Sequence, residues 1–146
     1  NKSMHRSGGR NGGLIRSYLA MDDVEQAEAV LDGVPAEIHD AFEIEAARAA
    51  VELAKQAADA GPVGELSAAV EADENNHQAR LDLAVALHAS GDSQGAVDQL
   101  LELFRRDREW NDGAARTQLF TIFDALKPTD AVVLEGRRKL SSMIFA

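Results

Sequence analysis

Residues 76–110 have the sequence NHQARLDLAVALHASGDSQGAVDQLLELFRRDREW, in which apolar residues recur at helical spacing on both sides of a Ser-Gly-Asp turn. The faces expected to be apolar are Leu81, Ala84, Leu87 and His88 in the first helix, and Ala96, Val97, Leu100, Leu103 and Phe104 in the second. Gly91 can adopt the left-handed conformation that ends a helix without a Cβ penalty. Asp92 or Ser93 can cap the next helix by accepting a hydrogen bond from a free N–H. The stretch therefore predicts two amphipathic helices joined by a tight turn.

This pattern resembles a tetratricopeptide repeat, a helical hairpin of about 34 residues. Small residues stand at Ala84 and Ala96, where the helices of such a repeat approach each other, and a Gly-Asp turn separates them. The large apolar positions of the repeat are filled by Leu83, Leu87, Leu100 and Leu103. Arg80 and Arg108 depart from the pattern, because an aromatic residue and a closing proline are usual there. A generic helical hairpin is the alternative that these residues leave open.

Composition restricts the class of protein. The chain has 146 residues, which is the length of one domain that buries about two-thirds of its unfolded surface. It contains no Cys, which excludes disulfides, thiolate metal sites and thiol–disulfide chemistry within this chain. No run approaches the ~20 apolar residues of a membrane span, and no signal peptide is visible, so we expect a cytoplasmic protein.

Charge is unevenly distributed along the chain, whose formal net charge is −10. Residues 1–20 hold four basic and no acidic side chains, residues 21–75 hold 15 acidic and two basic ones, and residues 76–146 hold ten acidic and nine basic ones. An acidic body repels nucleic acid and anionic membranes, so neither is an expected partner. The simplest interpretation of the acidic segment is a set of solvated helix faces.

The remaining segments extend the helical pattern. Residues 1–13 are nearly devoid of apolar side chains and contain four glycines, so they predict a flexible arm or a vector-derived segment. Further helices are expected within 14–31, over 36–60 and 64–73, after a cap at Asn111-Asp112, and after a cap at Thr129 or Asp130. No segment alternates as a strand would. Residues 14–146 therefore predict a single all-α domain, a right-handed α-solenoid of tetratricopeptide-like helical hairpins.

Two single residues add to this interpretation. Gly136 lies inside the last expected helix, where glycine costs about 1 kcal/mol relative to alanine, so it suggests close helix packing. Trp110 is the only tryptophan and is expected to be a core residue at a helix junction.

The C-terminal third resembles a second group of proteins. Residues 100–145, LLELFRRDREWNDGAARTQLFTIFDALKPTDAVVLEGRRKLSSMIF, are similar to the C-terminal end of the YbbN-type thioredoxin-like co-chaperones, also called chaperedoxins. The matching elements are Phe104-Arg105-Arg106-Asp107, Trp110-Asn111-Asp112, Ala115-Arg116, Leu119, Phe123, Leu126 and Leu134-Glu135-Gly136-Arg137-Arg138-Lys139-Leu140.

The resemblance implies a thioredoxin-like domain followed by tetratricopeptide-like repeats. This chain would be the repeat part alone, because it has no βαβ pattern and no CxxC. The resemblance also implies that such proteins hold unfolding clients and pass them to chaperonin or Hsp70-type chaperones.

No catalytic, metal or cofactor site is predicted. The four histidines have no metal-ligand spacing; they are His5, His39, His77 and His88. No nucleophile motif, phosphate loop or isolated carboxylate pair is present. We therefore expect a non-enzymatic protein without a cofactor.

The predicted binding surface is the concave face of the 77–110 repeat together with the last helix. The candidate side chains on the concave face are Gln78, Leu81, Val85 and His88. Because they are mostly apolar, they suit hydrophobic or helical segments better than an acidic peptide. They also lack the Lys and Asn residues with which some tetratricopeptide domains bind the carboxylates of a chaperone C-terminus. Packing on the neighbouring repeat is the alternative for them. Arg137 and Arg138 either present a basic stripe or pair with acidic neighbours such as Glu135.

These expectations favour a protein–protein interaction module of a thioredoxin-like co-chaperone, with clients, chaperonin or Hsp70-type chaperones as partners. A scaffold or adaptor dedicated to one partner, without holdase activity, is the alternative. Homo-oligomers are compatible with either.

Overall fold

The computed structural model describes residues 14–21, 23–33 and 42–145. The arm predicted at residues 1–13 and the first residues of the helix predicted from 36 lie outside this set. The helices are α1 (residues 14–20), α2 (Val24–Asp32), α3 (Phe42–Ala60), α4 (Val63–Ala72), α5 (His77–Ala89), α6 (Ser93–Arg106), α7 (Ala114–Ala125) and α8 (Ala131–Ile144). No strand occurs among the described residues. The predicted fold class, an all-α solenoid of helical hairpins, is confirmed.

The chain forms two compact units, one up to Lys55 and one from Gln56, so that the boundary falls within α3. The first unit has its own apolar core. The buried members of that core are Ile15, Ala27, Leu31, Ile44, Ala47 and Val51. On its surface, Lys55 Nζ lies 3.0 Å from Glu28 Oε1. That residues 14–146 form one repeat domain stays a prediction.

In the second unit α4, α5, α6 and α7 pack on one another in chain order, and α8 packs on α6. Helix α5 contacts α4 and α6, and α6 contacts α7 and α8. Of the face predicted for α5, Ala84 is fully buried, whereas Leu81, Leu87 and His88 are half-buried. The buried residues of α5 extend around it, because α4 and α6 cover two of its sides. Such packing of each helical pair on the next is what a repeat fold requires.

The turn between α5 and α6 has the predicted geometry. Gly91 has a φ of +96°. Its N–H donates to the carbonyl of His88 at 3.0 Å, and the N–H of Asp92 donates to the carbonyl of Leu87 at 2.9 Å, which together form a Schellman motif. Asp92 Oδ1 then accepts from the N–H of Gly95 at 2.8 Å and caps α6.

The start of α7 differs from the prediction that Asn111-Asp112 caps it. Asn111 and Asp112 have φ angles of +51° and +57°, and Gly113, at +81°, is the N-cap without a side-chain hydrogen bond. This left-handed run reverses the chain before α7, and Asn, Asp and Gly are the residues that tolerate it best. The cap of α8 is as predicted, since Asp130 Oδ1 accepts from the N–H of Val132 at 2.9 Å.

Arg80, which replaces the usual aromatic residue of the repeat, is buried, with 5% of its surface exposed. Its Nη1 donates to Gln99 Oε1 at 2.8 Å, and its Nη2 donates to the carbonyl of Glu74 at 3.1 Å. Burial, and secondarily the charge of Arg106, lower the pKa of Arg80. The guanidinium therefore links α5 to α6 and to the connection that precedes α5.

Gly136 allows α8 to approach the helices beneath it. A Cβ atom at this position would lie 2.7 Å from Cζ and 2.8 Å from Cε1 of Phe123, and 3.3 Å from Cγ1 of Val97. The Phe123 side chain is only 2% exposed, so the ring cannot move aside without disturbing the core. The close packing expected from a glycine inside this helix is confirmed.

We predict that Gly136→Ala lowers the free energy of unfolding by about 1–3 kcal/mol, because overpacking outweighs the gain of about 1 kcal/mol in helix propensity. Urea denaturation followed by circular dichroism measures the change. Gly64→Ala in α4 is the matched control, since nothing lies within 4 Å of a Cβ atom there. It should be neutral or stabilising by up to about 1 kcal/mol. Equal stability of Gly136→Ala and the wild type would contradict the packing argument.

Candidate functional site

A concave groove of about 270 Å³ lies between alternate helices of the second unit. Residues from the last turn of α3, from α5 and from α7 form its lining. The lining residues are Gln56, Asp59, Ala60, Gln78, Leu81, Asp82, Val85 and Gln118. We refer to this feature as the groove. It brings together three of the four residues that the sequence predicted for a concave face, namely Gln78, Leu81 and Val85.

A reciprocal pair of amides joins two sides of the groove. Gln118 Nε2 donates to Gln56 Oε1 at 2.7 Å, and Gln56 Nε2 donates to Gln118 Oε1 at 3.2 Å. Gln118 is 6% exposed, and a buried amide needs such partners to offset its desolvation. The pair therefore fixes α7 against the end of α3.

Sequence reasoning missed Gln118. The signal that could have found it is its spacing, because it lies three residues after buried Ala115 and four before buried Ile122, on an otherwise apolar face. A polar residue on such a face requires a hydrogen-bond partner, and that partner lies 62 residues away in the chain.

Helix α5 provides the wall of the groove. Leu81 and Val85 are four residues apart, so they stack on successive turns of one helix face. Val85 is 5% exposed, whereas Leu81 is half-buried and leaves apolar surface facing the opening. On the adjacent row, Gln78 Nε2 donates to Asp82 Oδ1 at 3.0 Å. The wall thus combines an apolar strip with an oriented carboxylate.

Asp59 and Asp82 are the charged residues of the lining, which contains no Lys or Arg. Asp59 is exposed and Asp82 is half-buried. Within the described part of the chain, neither carboxylate pairs with a cation. The groove is therefore apolar and negatively charged.

Comparison with known proteins identifies the repeat. Residues 56–145 match the tetratricopeptide repeat family. The chain belongs to the tetratricopeptide repeat family. This match decides against a generic helical hairpin. Tetratricopeptide repeats are typically non-enzymatic modules that mediate protein–protein interactions.

An uncharacterized protein of Haemophilus influenzae is similar to this tetratricopeptide repeat chain. The two are 28% identical over 129 residues, which are 88% of this chain and 58% of the other protein. The chain thus spans less than two-thirds of the length of that relative.

His88, the fourth residue predicted for the concave face of the repeat, does not line the groove. It is half-buried between α5 and α6, where its Nδ1 lies 3.1 Å from Ser93 Oγ. Burial lowers the pKa of His88, because the charged imidazolium is disfavoured away from water.

Arg137 and Arg138 lie on α8, away from the groove lining. Arg138 Nη2 lies 3.0 Å from Glu135 Oε2, so it pairs with an acidic neighbour. The guanidinium of Arg137 lies 5.3 Å from the ring centroid of Phe123 and 6.0 Å from that of Phe120, in cation–π contact. Neither side chain joins the other predicted site residues.

A second hollow of about 500 Å³ lies between α6, α7 and α8 of the repeat. Its charged lining residues are Arg108, Glu109, Asp112 and Arg116, and its apolar ones include Phe104, Phe120 and Ile144. Its two cationic and two anionic side chains balance, so this hollow has no net charge with which to select a charged partner.

Trp110 is half-buried at the junction after α6, and its ring meets that of His77 edge-on at 5.7 Å. Over the described residues, no three His, Asp or Glu side chains converge as metal ligands would. No helix found there is both long and apolar enough to cross a bilayer.

We predict that His88 makes the protein less stable in mild acid. Because its folded-state pKa is below the usual 6.5, the unfolded chain binds more protons as the pH falls below that value, and the free energy of unfolding decreases. Urea denaturation between about pH 7 and 5 should therefore show a smaller loss of stability for His88→Gln than for the wild type. If the free energy of unfolding falls equally with pH in both proteins, His88 does not contribute to the loss of stability in acid.

Proposed function

We propose that this chain is the repeat module of a thioredoxin-like co-chaperone, and that its groove binds unfolding client proteins. The observation that carries the proposal is the apolar strip of Leu81 and Val85 in the groove, where half-buried Leu81 leaves apolar surface facing the opening above buried Val85. Unfolding proteins expose apolar side chains, and burying them is favourable by about 25 cal/mol per Å².

The size of the groove favours short segments. At about 270 Å³ it is near the lower end of the range of ligand pockets, which is about 300–1,000 Å³. Such a volume receives the side chains of an extended or helical segment and not a folded domain. Unfolding chains provide segments of this kind.

Two further observations support the co-chaperone role. The resemblance of residues 100–145 to chaperedoxins connects the chain to chaperonin or Hsp70-type partners, and we place it in the cytoplasm with them. The net charge of −10 gives complexes with aggregation-prone clients a strong mutual repulsion, which opposes co-aggregation.

A scaffold or adaptor for one dedicated partner is the second candidate. The polar part of the groove favours it, because the Gln56–Gln118 pair and the oriented carboxylate of Asp82 are features that a single sequence could match. Affinity capture from a bacterial lysate separates the two roles. Many unrelated proteins together with a chaperone support the co-chaperone, and one stoichiometric protein supports the adaptor.

We predict that Leu81→Asp abolishes most of the protection that this chain gives to thermally unfolding citrate synthase. An aspartate in the apolar strip should weaken client binding by about tenfold, which corresponds to about 1.4 kcal/mol. Light scattering of the heated client measures the protection, and circular dichroism verifies that the variant is folded.

Leu134→Asp is the control for this experiment. Leu134 is 57% exposed on α8 and lies outside the groove, so the same substitution there should preserve protection. Full protection by a folded Leu81→Asp variant would place client binding elsewhere.

A further inference from the structure

We infer that the groove selects partner segments in which lysine or arginine flanks an apolar residue. This inference rests on the proposed function, because it names the chemistry of the segment that the same groove would bind. Its basis is the charge of the lining and the order of the side chains along α5.

Only a few carboxylates of the described residues form ion pairs, and those of the groove are not among them. Glu28, Glu102 and Glu135 each form an ion pair with a Lys or Arg side chain at 2.6–3.0 Å. Asp59 and Asp82 have no cationic partner among the described residues. The groove therefore lacks the countercharge that a cationic partner would supply.

Asp82 is held in a defined orientation. Its Oδ1 accepts from Gln78 Nε2, while Oδ2 has no hydrogen bond to a described residue. Because Asp82 is half-buried, solvent screens its charge less than that of exposed Asp59. An ammonium or guanidinium group can therefore gain more binding free energy from an ion pair with Asp82 than from one with Asp59.

The order of side chains on α5 places apolar and anionic surfaces next to each other. Leu81 and Val85 form one row, and Gln78 and Asp82 form the adjacent row. The aliphatic stem of a lysine or arginine can lie along the apolar row while its charged end reaches the carboxylate. A neighbouring apolar side chain of the same segment then fills the rest of the groove.

Acidic segments are disfavoured by the same features. A carboxylate entering the groove would face Asp59 and Asp82 without any cation in the lining. Like charges in a partly buried site cost binding energy, and this gives selectivity against acidic partners.

The test uses fluorescence anisotropy with the full chain and three labelled peptides. Each peptide alternates leucine with one other residue, which is lysine, glutamine or glutamate. We expect the leucine–lysine peptide to bind most tightly and the leucine–glutamate peptide least. We expect Asp82→Asn to lower the affinity for the leucine–lysine peptide by about two- to fivefold, which is the effect expected of a partly exposed ion pair. The affinity for the leucine–glutamine peptide should be unchanged.

Asp98→Asn is a closely matched control. Asp98 lies on α6, outside the groove, and its Oδ1 accepts from Gln94 Nε2 at 2.9 Å, four residues earlier, as Asp82 does from Gln78. The two variants remove the same charge from the same local motif. Asp98→Asn should therefore bind all three peptides as the wild type does.

The outcomes separate this inference from the proposed function. Equal losses in Asp82→Asn and Asp98→Asn would attribute binding to the general negative charge of the chain and overturn the inference. If all three peptides bind equally and Leu81→Asp weakens each of them, the inference fails while the proposed function stands. If Leu81→Asp changes neither peptide binding nor client protection, both fail. A further outcome is that no peptide binds but the chain self-associates, and Asp82→Asn abolishes the self-association. This result would overturn the inference, because the occupant of the groove would be a second copy of the chain.

Discussion

The contact between the ring of Phe123 and the bare backbone of Gly136 determines where α7 lies. No side chain separates the two, and an added methyl group would overlap the ring. The opposite constraint on α7 comes from Gln118, whose amide is paired with that of Gln56. Helix α7 is thus fixed by steric contact towards α8 and by hydrogen bonds towards the end of α3. Both constraints act on the helix that contributes Gln118 to the lining of the groove.

Arg80 provides a second constraint, of an electrostatic kind. A buried guanidinium costs several kcal/mol of desolvation, and the nearby positive charge of Arg106 adds to that cost. Hydrogen bonds to Gln99 and to the carbonyl of Glu74 offset it, but only when α5 and α6 are in one register. An aromatic residue at this position of the repeat would pack without such directional partners. The substitution therefore exchanges apolar packing for a polar contact that specifies the geometry of the hairpin.

Local features of the fold could be predicted from the sequence, and features that depend on distant partners could not. The turn at Gly91 and the packing at Gly136 follow from the conformational and steric properties of glycine alone. The expected cap at Asn111-Asp112 was wrong, because those side chains also tolerate the left-handed backbone that reverses the chain there. Three of the four residues predicted for the concave face line the groove, and neither Arg137 nor Arg138 does. His88 lies three residues after Val85 at the edge of the same helix face, and it contacts Ser93 of α6 instead of the groove. The role of Gln118 depends on a helix 62 residues away, which periodicity within α7 cannot reveal.

The tetratricopeptide fold supplies a concave surface, and the side chains on that surface decide which partner it accepts. In domains that hold acidic peptides, the concave helices provide cationic and amide groups. Here they provide amides, apolar side chains and two carboxylates, so the charge of the lining is opposite to that of those domains while the architecture is retained. Asp59 on α3 and Asp82 on α5 carry the charge of the lining, and a substitution at either one changes that charge without touching the Gln56–Gln118 pair or the Phe123–Gly136 contact. Under the proposed selectivity, partner choice is therefore physically separable from stability, since Asp59 and Asp82 lie outside the core that Phe123 and Gly136 help to define.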